Sequence, residues 1–546
     1  MRNAANWTDR LILFGIIVVA AGLVLPNLGA NCLWEDEAQT ALVARNILSQ
    51  GVPAASDGKN SVSIFADHRD VRDGIHIWQG WFPSYLAAAS MGLFGKNAWA
   101  ARFPFAVAFI ALVAFYYLFL KRHKIDSRRL WLTILLTSTC VPLLVHARQC
   151  RYYLLVPILN LLIVDAYLGW VQEPKLKREI ALLAWTTLLL NSFFPGALLL
   201  GFALVLDLLR RRPARNTLTR FAITATVIVL LNLPMAVFCR IWNRQFATES
   251  IFHDPGAWWM FFVRYLLTLN NYFFPGVLVL AACVFGWKAI ARKKVLGGEF
   301  DFLFLAICAA HLIALSVLSD FPFTRYMIGI TPFLMFFAAR CLEIAGLNRS
   351  WMIWPLAIVV INTNLLAVIP LRLVHHPTLQ DAQWTTAGID RAFIDPNRIR
   401  FSFARGEVKT LINISASFPL IDYVRSLVEP PQGPDDVIVD YLHKNAAAGD
   451  RVKTSYAAQT LMFHTSLAII DPNEIGPVAP EWMVLRRFRP LKISEEFMRE
   501  SNKYPYTKIT IPFPDLQWNN QPDPLYHFCK TPSNDLAPPI VILKKS

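Results

Sequence analysis

The chain has 546 residues, of which 55% are hydrophobic and 17% charged, and its mean hydropathy is +0.40. A soluble chain of this length would divide into several domains with polar surfaces throughout, which this composition excludes. The formal net charge of +15 does not indicate nucleic-acid binding, because the basic residues cluster in short segments between apolar runs. That distribution is typical of a membrane protein.

The first apolar run covers residues 11–28 and follows Arg2 and Arg10. Its flanks resemble a signal peptide, and Leu28-Gly29-Ala30 is a weak cleavage-like ending. Its length and the many runs that follow favour an uncleaved membrane anchor. Basic residues before the run place the N-terminus in the cytoplasm.

Ten more apolar runs follow, and together they predict about eleven transmembrane helices. They cover residues 103–120, 130–146, 152–171, 180–192, 196–209, 221–238, 272–289, 302–318, 326–342 and 351–371. Basic clusters at 121–129, 175–178, 210–215, 288–294 and 340–349 then fall in five successive cytoplasmic loops. The short apolar stretch 82–94, with Pro83 near its start and Gly95 at its end, is predicted to be an interfacial helix. Counting it as a span would invert every later loop.

The predicted fold class is therefore a polytopic α-helical membrane protein with a C-terminal extracytoplasmic α/β domain. Residues 1–371 form the transmembrane module, with an outer loop at 31–101. Residues 372–546 hold no further span and regain prolines and charges. Their pattern predicts helices at 435–444 and 459–465 and strands at 451–456 and 467–470.

Three consecutive acids follow the first span, in Trp34-Glu35-Asp36-Glu37-Ala38. Helical spacing continues to a stop at Gly51-Val52-Pro53, and one face carries Ala38, Leu42, Val43, Asn46 and Ile47. In one interpretation Asp36 is an N-cap and its neighbours favour the helix dipole. In the other, Asp36 is a general base, and Glu37 holds a divalent metal ion or raises the pKa of Asp36.

Three motifs carry a resemblance to a known class of membrane enzyme. The first is W-x-D-E-A followed by a helix ending A-R-x-(I/M)-L-x-x-G, here between Trp34 and Gly51. The second, G-K-N-A-W-A-A-R-F-P, runs from Gly95 to Pro104, and the third comprises Arg325, Tyr326 and Pro332. Over residues 1–371 they resemble the GT-C glycosyltransferases, in the protein O-mannosyltransferase-like and aminoarabinose-transferase-like branch.

The resemblance implies a GT-C-like hexosyl- or pentosyltransferase in the bacterial inner membrane. Its donor would be a polyprenyl-phosphate sugar, and its acceptor an extracytoplasmic lipid, envelope glycan or protein. The displacement would be inverting, Asp36 the base and Glu37 its partner, with no nucleotide cofactor. The sugar, the acceptor and the oligomeric state stay open. A transporter or flippase of lipid-linked sugars and a non-catalytic lipid-binding relative are the alternatives.

The chain departs from the family at residues 146–153, which hold no carboxylate where related transferases place a second acid. Arg148 and Arg151 of this segment, and Arg325, could instead bind the donor phosphate, for which guanidinium geometry is suited. The alternative is that these arginines anchor the ends of membrane spans.

A metal site is the last chemical candidate. His68, Asp70, Asp73 and His76, with Glu37, could supply nitrogen and oxygen ligands, but their spacing matches no known motif. A solvated loop that covers the site is the favoured interpretation of 67–76. His311, inside a predicted span, is expected to form an interhelical hydrogen bond.

Overall fold

The computed structural model describes residues 2–63, 68–241, 255–290, 300–318, 323–345, 353–374, 398–402, 409–413, 417–470, 479–486, 499, 501–515 and 538–546. The helices of the membrane part are α1 (Arg2–Val24), α2 (Glu35–Gln50), α3 (Phe82–Phe94), α4 (Ala98–Arg122), α5 (Ser127–Ser138), α6 (Val141–Ala147), α7 (Leu155–Gln172), α8 (Leu176–Leu190), α9 (Phe194–Arg211), α10 (Arg215–Phe238), α11 (Pro255–Thr268), α12 (Val277–Ile290), α13 (Asp301–Leu318), α14 (Thr331–Ala345), α15 (Ile353–Asn362) and α16 (Leu365–Val374).

Every predicted span contains a helix, but fewer helices are long enough to cross a bilayer alone. Five helical segments of the described residues have the length and apolar character of a span, or six when α5 and α6 count as one span bent by 53°. The predicted run 351–371 is broken into α15 and α16, and α11 is a helix that the hydropathy pattern missed. The polytopic helical fold is confirmed, whereas the count of eleven spans stays a prediction.

Local sequence signals set several helix boundaries. The Asn97 side chain accepts a hydrogen bond from the Ala100 N–H at 2.9 Å and starts α4. Gly51 ends α2 with φ of 77°, as the Gly-Val-Pro stop predicts. All five residues of the predicted α2 face, from Ala38 to Ile47, are buried. The interfacial position of α3 stays a prediction, although its bounds match the predicted stretch.

Among its described residues, the C-terminal part contains a mixed five-stranded sheet and three helices. The helices are α17 (Pro419–Val428), α18 (Pro434–Asn445) and α19 (Ala458–His464). The sheet order is β6-β5-β7-β9-β8, from β5 (Arg451–Thr454), β6 (Ala468–Ile470), β7 (Trp482–Leu485), β8 (Tyr506–Pro514) and β9 (Pro539–Lys545). The strand β5 pairs parallel with both β6 and β7, and β9 is antiparallel to its two neighbours. Two further hairpins, β1–β2 (Val71–Arg72, Ile75–His76) and β3–β4 (Arg398–Ser402, Lys409–Asn413), lie outside this sheet.

A buried ionic triad holds the helix α18 to the sheet. The Arg486 guanidinium donates to Asp435 at 2.6 Å and to Asp515 at 2.8 Å, and all three side chains are buried. Asp435 lies at the start of α18, so the triad fixes this end of the helix against β7 and β8. The elements predicted at 435–444, 451–456, 459–465 and 467–470 match α18, β5, α19 and β6.

Labelling of two engineered cysteines tests the orientation. Ser49 and Arg128 are both exposed, and α4, about 37 Å long at 1.5 Å per residue, lies between them in the chain. In intact cells a membrane-impermeant maleimide is expected to label Ser49→Cys but to label Arg128→Cys only after permeabilisation. Labelling of both without permeabilisation would overturn the predicted orientation; the wild type controls for the native cysteines.

Candidate active site

The adjacent acids Asp36 and Glu37 lie in different environments at the start of α2. The helix begins at Glu35 with Trp34 in the N-cap position, so Asp36 belongs to the first turn and is not the cap. The Asp36 side chain is 26% exposed, whereas that of Glu37 is fully buried. One helical step therefore turns one carboxylate toward open space and the other into the protein.

Glu37 forms a buried ion pair with Arg102 of α4. Arg102 donates from Nε to Oε1 at 2.9 Å and from Nη2 to Oε2 at 2.8 Å. The Cys150 N–H donates to Oε1 at 2.6 Å and the Trp34 N–H to Oε2 at 3.4 Å. With two donors on each oxygen, the accepting capacity of the carboxylate is used within the protein. Glu37 therefore fixes the start of α2. The predicted roles of Glu37 as a metal ligand or as the direct partner of Asp36 stay predictions, and these contacts do not favour them.

Asp36 faces two arginines that come from distant parts of the chain. Its Oδ2 lies 3.8 Å from Arg151 Nη2 and 3.6 Å from Arg325 Nη1. At both distances the contact is an ion pair rather than a hydrogen bond. Arg151 also donates to the Asp36 carbonyl at 2.9 Å and to Thr40 Oγ1 at 3.0 Å. Two of the three arginines that the sequence proposed for phosphate binding are thus brought to the proposed base.

Two short 3₁₀ helices position these arginines. Arg151 immediately precedes the 3₁₀ helix Tyr152–Leu154, and Arg325 lies in the first turn of the 3₁₀ helix Thr324–Ile330. The two 3₁₀ helices pack together, and Asn160 of α7 donates to the Gly329 carbonyl at 3.0 Å. A Cβ on Gly329 would lie 2.7 Å from Val156 Cγ1, so this close approach requires glycine. His311 Nε2 donates to the Tyr326 carbonyl at 2.8 Å, which confirms its predicted hydrogen bond.

A narrow cavity with aromatic walls, here called the aromatic cavity, opens beside Arg325. Its lining consists of Tyr152, Tyr153, Val156, Phe193, Arg325, Tyr326 and Gly329. Tyr152 and Phe193 stack with ring centroids 5.0 Å apart, and the Arg325 guanidinium lies 5.6 Å from the Tyr326 ring centroid. A cavity with apolar walls and a cationic end suits a ligand that joins a hydrocarbon to an anion.

Arg148 serves a different part of the structure. It donates to the carbonyls of Val24 at 2.8 Å, Pro26 at 2.6 Å and Asn27 at 3.1 Å. These carbonyls belong to the end of α1 and the residues after it, so Arg148 closes that helix terminus. Its predicted contact with the donor phosphate stays a prediction that this geometry does not favour.

The residues proposed as metal ligands do not come together in one cluster. Within the described ranges, no group of three or more His, Cys, Asp and Glu side chains is arranged to hold a metal. The solvated-loop interpretation is wrong for Asp70 and His76, which are fully buried, while His68 is exposed. The β1–β2 hairpin, which turns at Asp73-Gly74, and a hydrogen bond from Ser63 to Asp70 draw this segment inward. Residues 64–67 lie outside the described residues.

Side chains of the C-terminal part form hydrogen bonds with the segment that leads into α2. Asp436 of α18 accepts from the Cys32 N–H at 2.6 Å and from the Asn31 side chain at 3.2 Å. His464 Nε2 of α19 accepts from the Leu33 N–H at 2.8 Å. On the membrane side, Arg102 donates to the carbonyls of residues 28, 31 and 32. The backbone that carries Asp36 is therefore held from both sides by charged or polar side chains.

The surroundings of His464 keep its imidazole unprotonated, so that Nε2 can accept a hydrogen bond. Burial first, and then electrostatic interaction with Arg102 and His443, lower the pKa of His464 from its ordinary 6.5 to about 3. The imidazole is therefore neutral at physiological pH, and its Nε2 can accept the Leu33 N–H.

The sequence predicted no role for four residues of this arrangement: Arg102, Thr40, Asp436 and His464. The role of Arg102 could have been predicted, because it is the arginine of the A-A-R-F-P motif. A lone arginine inside an apolar span indicates a buried acidic partner. Asp436 and His464 lie about 400 residues from the segment they hold. No local pattern could pair them with it.

Comparison with solved structures assigns the fold. The solved structures support the GT-C fold class that the motifs predicted. It superimposes on apo ArnT from Cupriavidus metallidurans with a TM-score of 0.54 at 13% identity, covering 99% of this chain and 98% of that one. The same protein bound to undecaprenyl phosphate gives a TM-score of 0.53 at 13% identity and the same coverage. AglB from Archaeoglobus fulgidus, with an inhibitory peptide and a dolichol-phosphate, gives 0.45 at 12% identity over 85% of this chain and 64% of that one. No protein-family model and no curated protein matches the sequence.

Neutralising Glu37 tests the buried ion pair. Glu37→Gln leaves the Arg102 guanidinium buried without its counter-charge, which costs about 3–5 kcal/mol. We expect a large fall in the thermal unfolding midpoint in detergent. Asp57→Asn, which breaks the part-exposed pair between Arg45 and Asp57 at 2.9 Å, is the matched control and costs less than about 1 kcal/mol. Equal shifts for the two variants would contradict a structural role for Glu37.

The pH dependence of stability tests the state of His464. Its folded pKa lies below its unfolded pKa, so its contribution is complete above about pH 6.5 and is lost as pH falls toward 3. We expect acidification from pH 7.5 to 5 to lower the unfolding midpoint more in the wild type than in His464→Gln, whose amide oxygen accepts at either pH. Parallel pH profiles for the two proteins would show that His464 is not the responsible group.

Proposed function

We propose that the chain is a glycosyltransferase that moves a sugar from a polyprenyl-phosphate donor to an extracytoplasmic acceptor. The observation that carries the proposal is the position of Asp36. Its part-exposed carboxylate lies between Arg151 and Arg325, and Arg325 is also the cationic end of the aromatic cavity. One site thus combines a base, two phosphate-binding cations and apolar walls.

The reaction follows from the roles of these groups. The acceptor hydroxyl or amine gives its proton to Asp36 while its oxygen or nitrogen bonds to the anomeric carbon. The bond from that carbon to the phosphate oxygen breaks, and its electron pair leaves with the polyprenyl phosphate. Attack opposite the leaving group inverts the anomeric centre. Arg151 and Arg325 stabilise the charge that develops on the leaving phosphate.

The charges of the site match this reaction at both ends. Two guanidinium groups and one carboxylate leave the site with one net positive charge, which a phosphodiester donor neutralises. After transfer the phosphate is a monoester that carries nearly one further negative charge. The proton that Asp36 has gained compensates for that charge, so the total charge of the site hardly changes. This pairing explains why a base can lie between two arginines.

The ArnT structures support the donor class. ArnT, which shares its fold with this chain over nearly the whole of both chains, has been solved with undecaprenyl phosphate bound. We extend a lipid-phosphate donor to this chain, with the acceptor a lipid, an envelope glycan or a protein. An inner-membrane location with a cytoplasmic N-terminus, and an assisting divalent metal ion, belong to the same proposal.

Transfer of a radiolabelled sugar from polyprenyl phosphate in proteoliposomes tests the proposal. Asp36→Asn is expected to lower the transfer rate at least about a hundredfold, because the amide cannot take the acceptor proton. Glu35→Gln is the matched control, since it removes the preceding acid of the same helical turn and is expected to leave the rate near that of the wild type.

The same preparation separates the alternatives. A wild type that moves the labelled donor across the membrane without transfer would indicate a flippase. Donor binding with neither transfer nor movement would indicate a non-catalytic lipid-binding protein. Transfer by Asp36→Asn at the wild-type rate would overturn the assignment of the base and leave the class of enzyme intact.

A further inference from the structure

The helix α17 exposes an apolar stripe although it belongs to the C-terminal part of the chain. Phe418, which precedes it, is 50% exposed, and Ile421, Val424 and Val428 are 48%, 43% and 73% exposed. At 100° per residue the side chains of Ile421, Val424 and Val428 fall within about 60° of one side of the helix. Large apolar side chains grouped in this way mark an interaction surface.

The opposite side of α17 is packed onto the protein. Tyr423 and Leu427 are buried, and the Ser426 side chain is buried and donates to the Tyr423 carbonyl at 2.6 Å. The helix contacts α1, α6 and α15. The exposed stripe is therefore the outer face of a helix whose other side is firmly packed onto the protein.

Two hydrogen bonds fix α17 at the end of the first membrane helix. The Tyr423 hydroxyl donates to the Leu23 carbonyl at 2.6 Å, and the Asn27 side chain donates to the Leu427 carbonyl at 2.8 Å. From Arg2 to Val24, α1 is about 34 Å long, which is slightly more than the 30 Å hydrocarbon core of a bilayer. Leu23 therefore lies near the far surface of the membrane, and α17 lies at the same depth.

Two helices that contact α17 also expose apolar side chains. On α1, Trp7, Leu11 and Phe14 are exposed, and on α15 so are Trp354, Ile358 and Val359. Ser417, just before α17, accepts from the Asn364 N–H at 3.3 Å and donates its own N–H to the Asn364 side chain at 2.9 Å. The face of α17 thus adjoins two helices whose exposed side chains suit hydrocarbon.

We propose that α17 is a membrane-interface helix whose apolar stripe inserts into the boundary between phospholipid head groups and acyl chains. A short helix with one apolar and one polar edge lies in the plane of that boundary. The polar edge is present here, because Arg425 and Glu429 are exposed and Asp422 is part-exposed beside the stripe. The edge carries both signs of charge, so insertion depends on apolar contact and not on anionic lipid. The C-terminal part is then fixed to the bilayer at the same helix end that leads into Asp36.

Photo-crosslinking in nanodiscs tests the proposal without any assumption about the reaction. A benzophenone amino acid replaces one residue at a time in the full chain, at Ile421, Val424 and Val428 on the apolar edge. Arg425 and Glu429, which are exposed on the polar edge of the same helix, are the matched controls. Because all five side chains are exposed, the larger residue needs no space in the core.

The expected result is a phospholipid adduct, seen by mass spectrometry, at the three apolar positions and at least about fivefold less at the two polar ones. The adduct yield is expected to be the same with phosphatidylcholine alone and with added phosphatidylglycerol. Equal yields on both edges, or adducts with protein segments in place of lipid at the apolar positions, would overturn the proposal. A yield that requires phosphatidylglycerol would overturn the apolar basis of the insertion.

Discussion

The buried ion pair between Glu37 and Arg102 is the constraint on which the candidate site depends. Arg102 uses one guanidinium to hold the Glu37 carboxylate and the carbonyls of residues 28, 31 and 32, so a single side chain defines where α2 begins. Removing either partner would leave a buried charge uncompensated, which is strongly unfavourable. Because Asp36 precedes Glu37 directly, any shift of this pair moves the proposed base. The rigidity of the pair therefore sets the position of Asp36 relative to Arg151 and Arg325.

At two places in the chain, two adjacent acids have different partners. In each pair one acid forms a buried ion pair with an arginine. In the first pair Glu37 is fixed by Arg102 while Asp36 faces the arginines of the cavity. In the second, Asp435 is fixed by Arg486 while Asp436 reaches across to the Cys32 N–H. The first turn of a helix suits both arrangements, since successive side chains point about 100° apart and the dipole favours negative charge. The C-terminal part thus helps to position Asp36. The proposed insertion of α17 would fix the C-terminal part and the segment that carries Asp36 at the membrane surface.

Sequence alone predicted much of this architecture because its signals are local. Hydropathy predicted the polytopic helical class, and Gly51 predicted the end of α2. The acidic motif proposed Asp36 as the base, whereas Arg151 and Arg325 were proposed from two other segments, and the structure places the three together. Hydropathy missed α11, whose sequence is apolar and aromatic but interrupted by Arg264, and it joined α15 and α16 across the break at residues 363–364. It also could not separate the roles of Asp36 and Glu37, because adjacent acids look alike until their partners are known. The partners Arg102, Asp436 and His464 are set by tertiary packing, and no periodicity encodes a contact over 400 residues.

The central claim is that Asp36, Arg151 and Arg325 form a donor-phosphate site at the end of the aromatic cavity. A cryo-EM structure of the protein in nanodiscs with a polyprenyl phosphate tests it most directly. The account predicts phosphate density between the two guanidinium groups, with the polyprenyl chain along Tyr152, Phe193 and Tyr326. Phosphate density elsewhere, with both arginines still paired to Asp36 and the cavity empty, would contradict it.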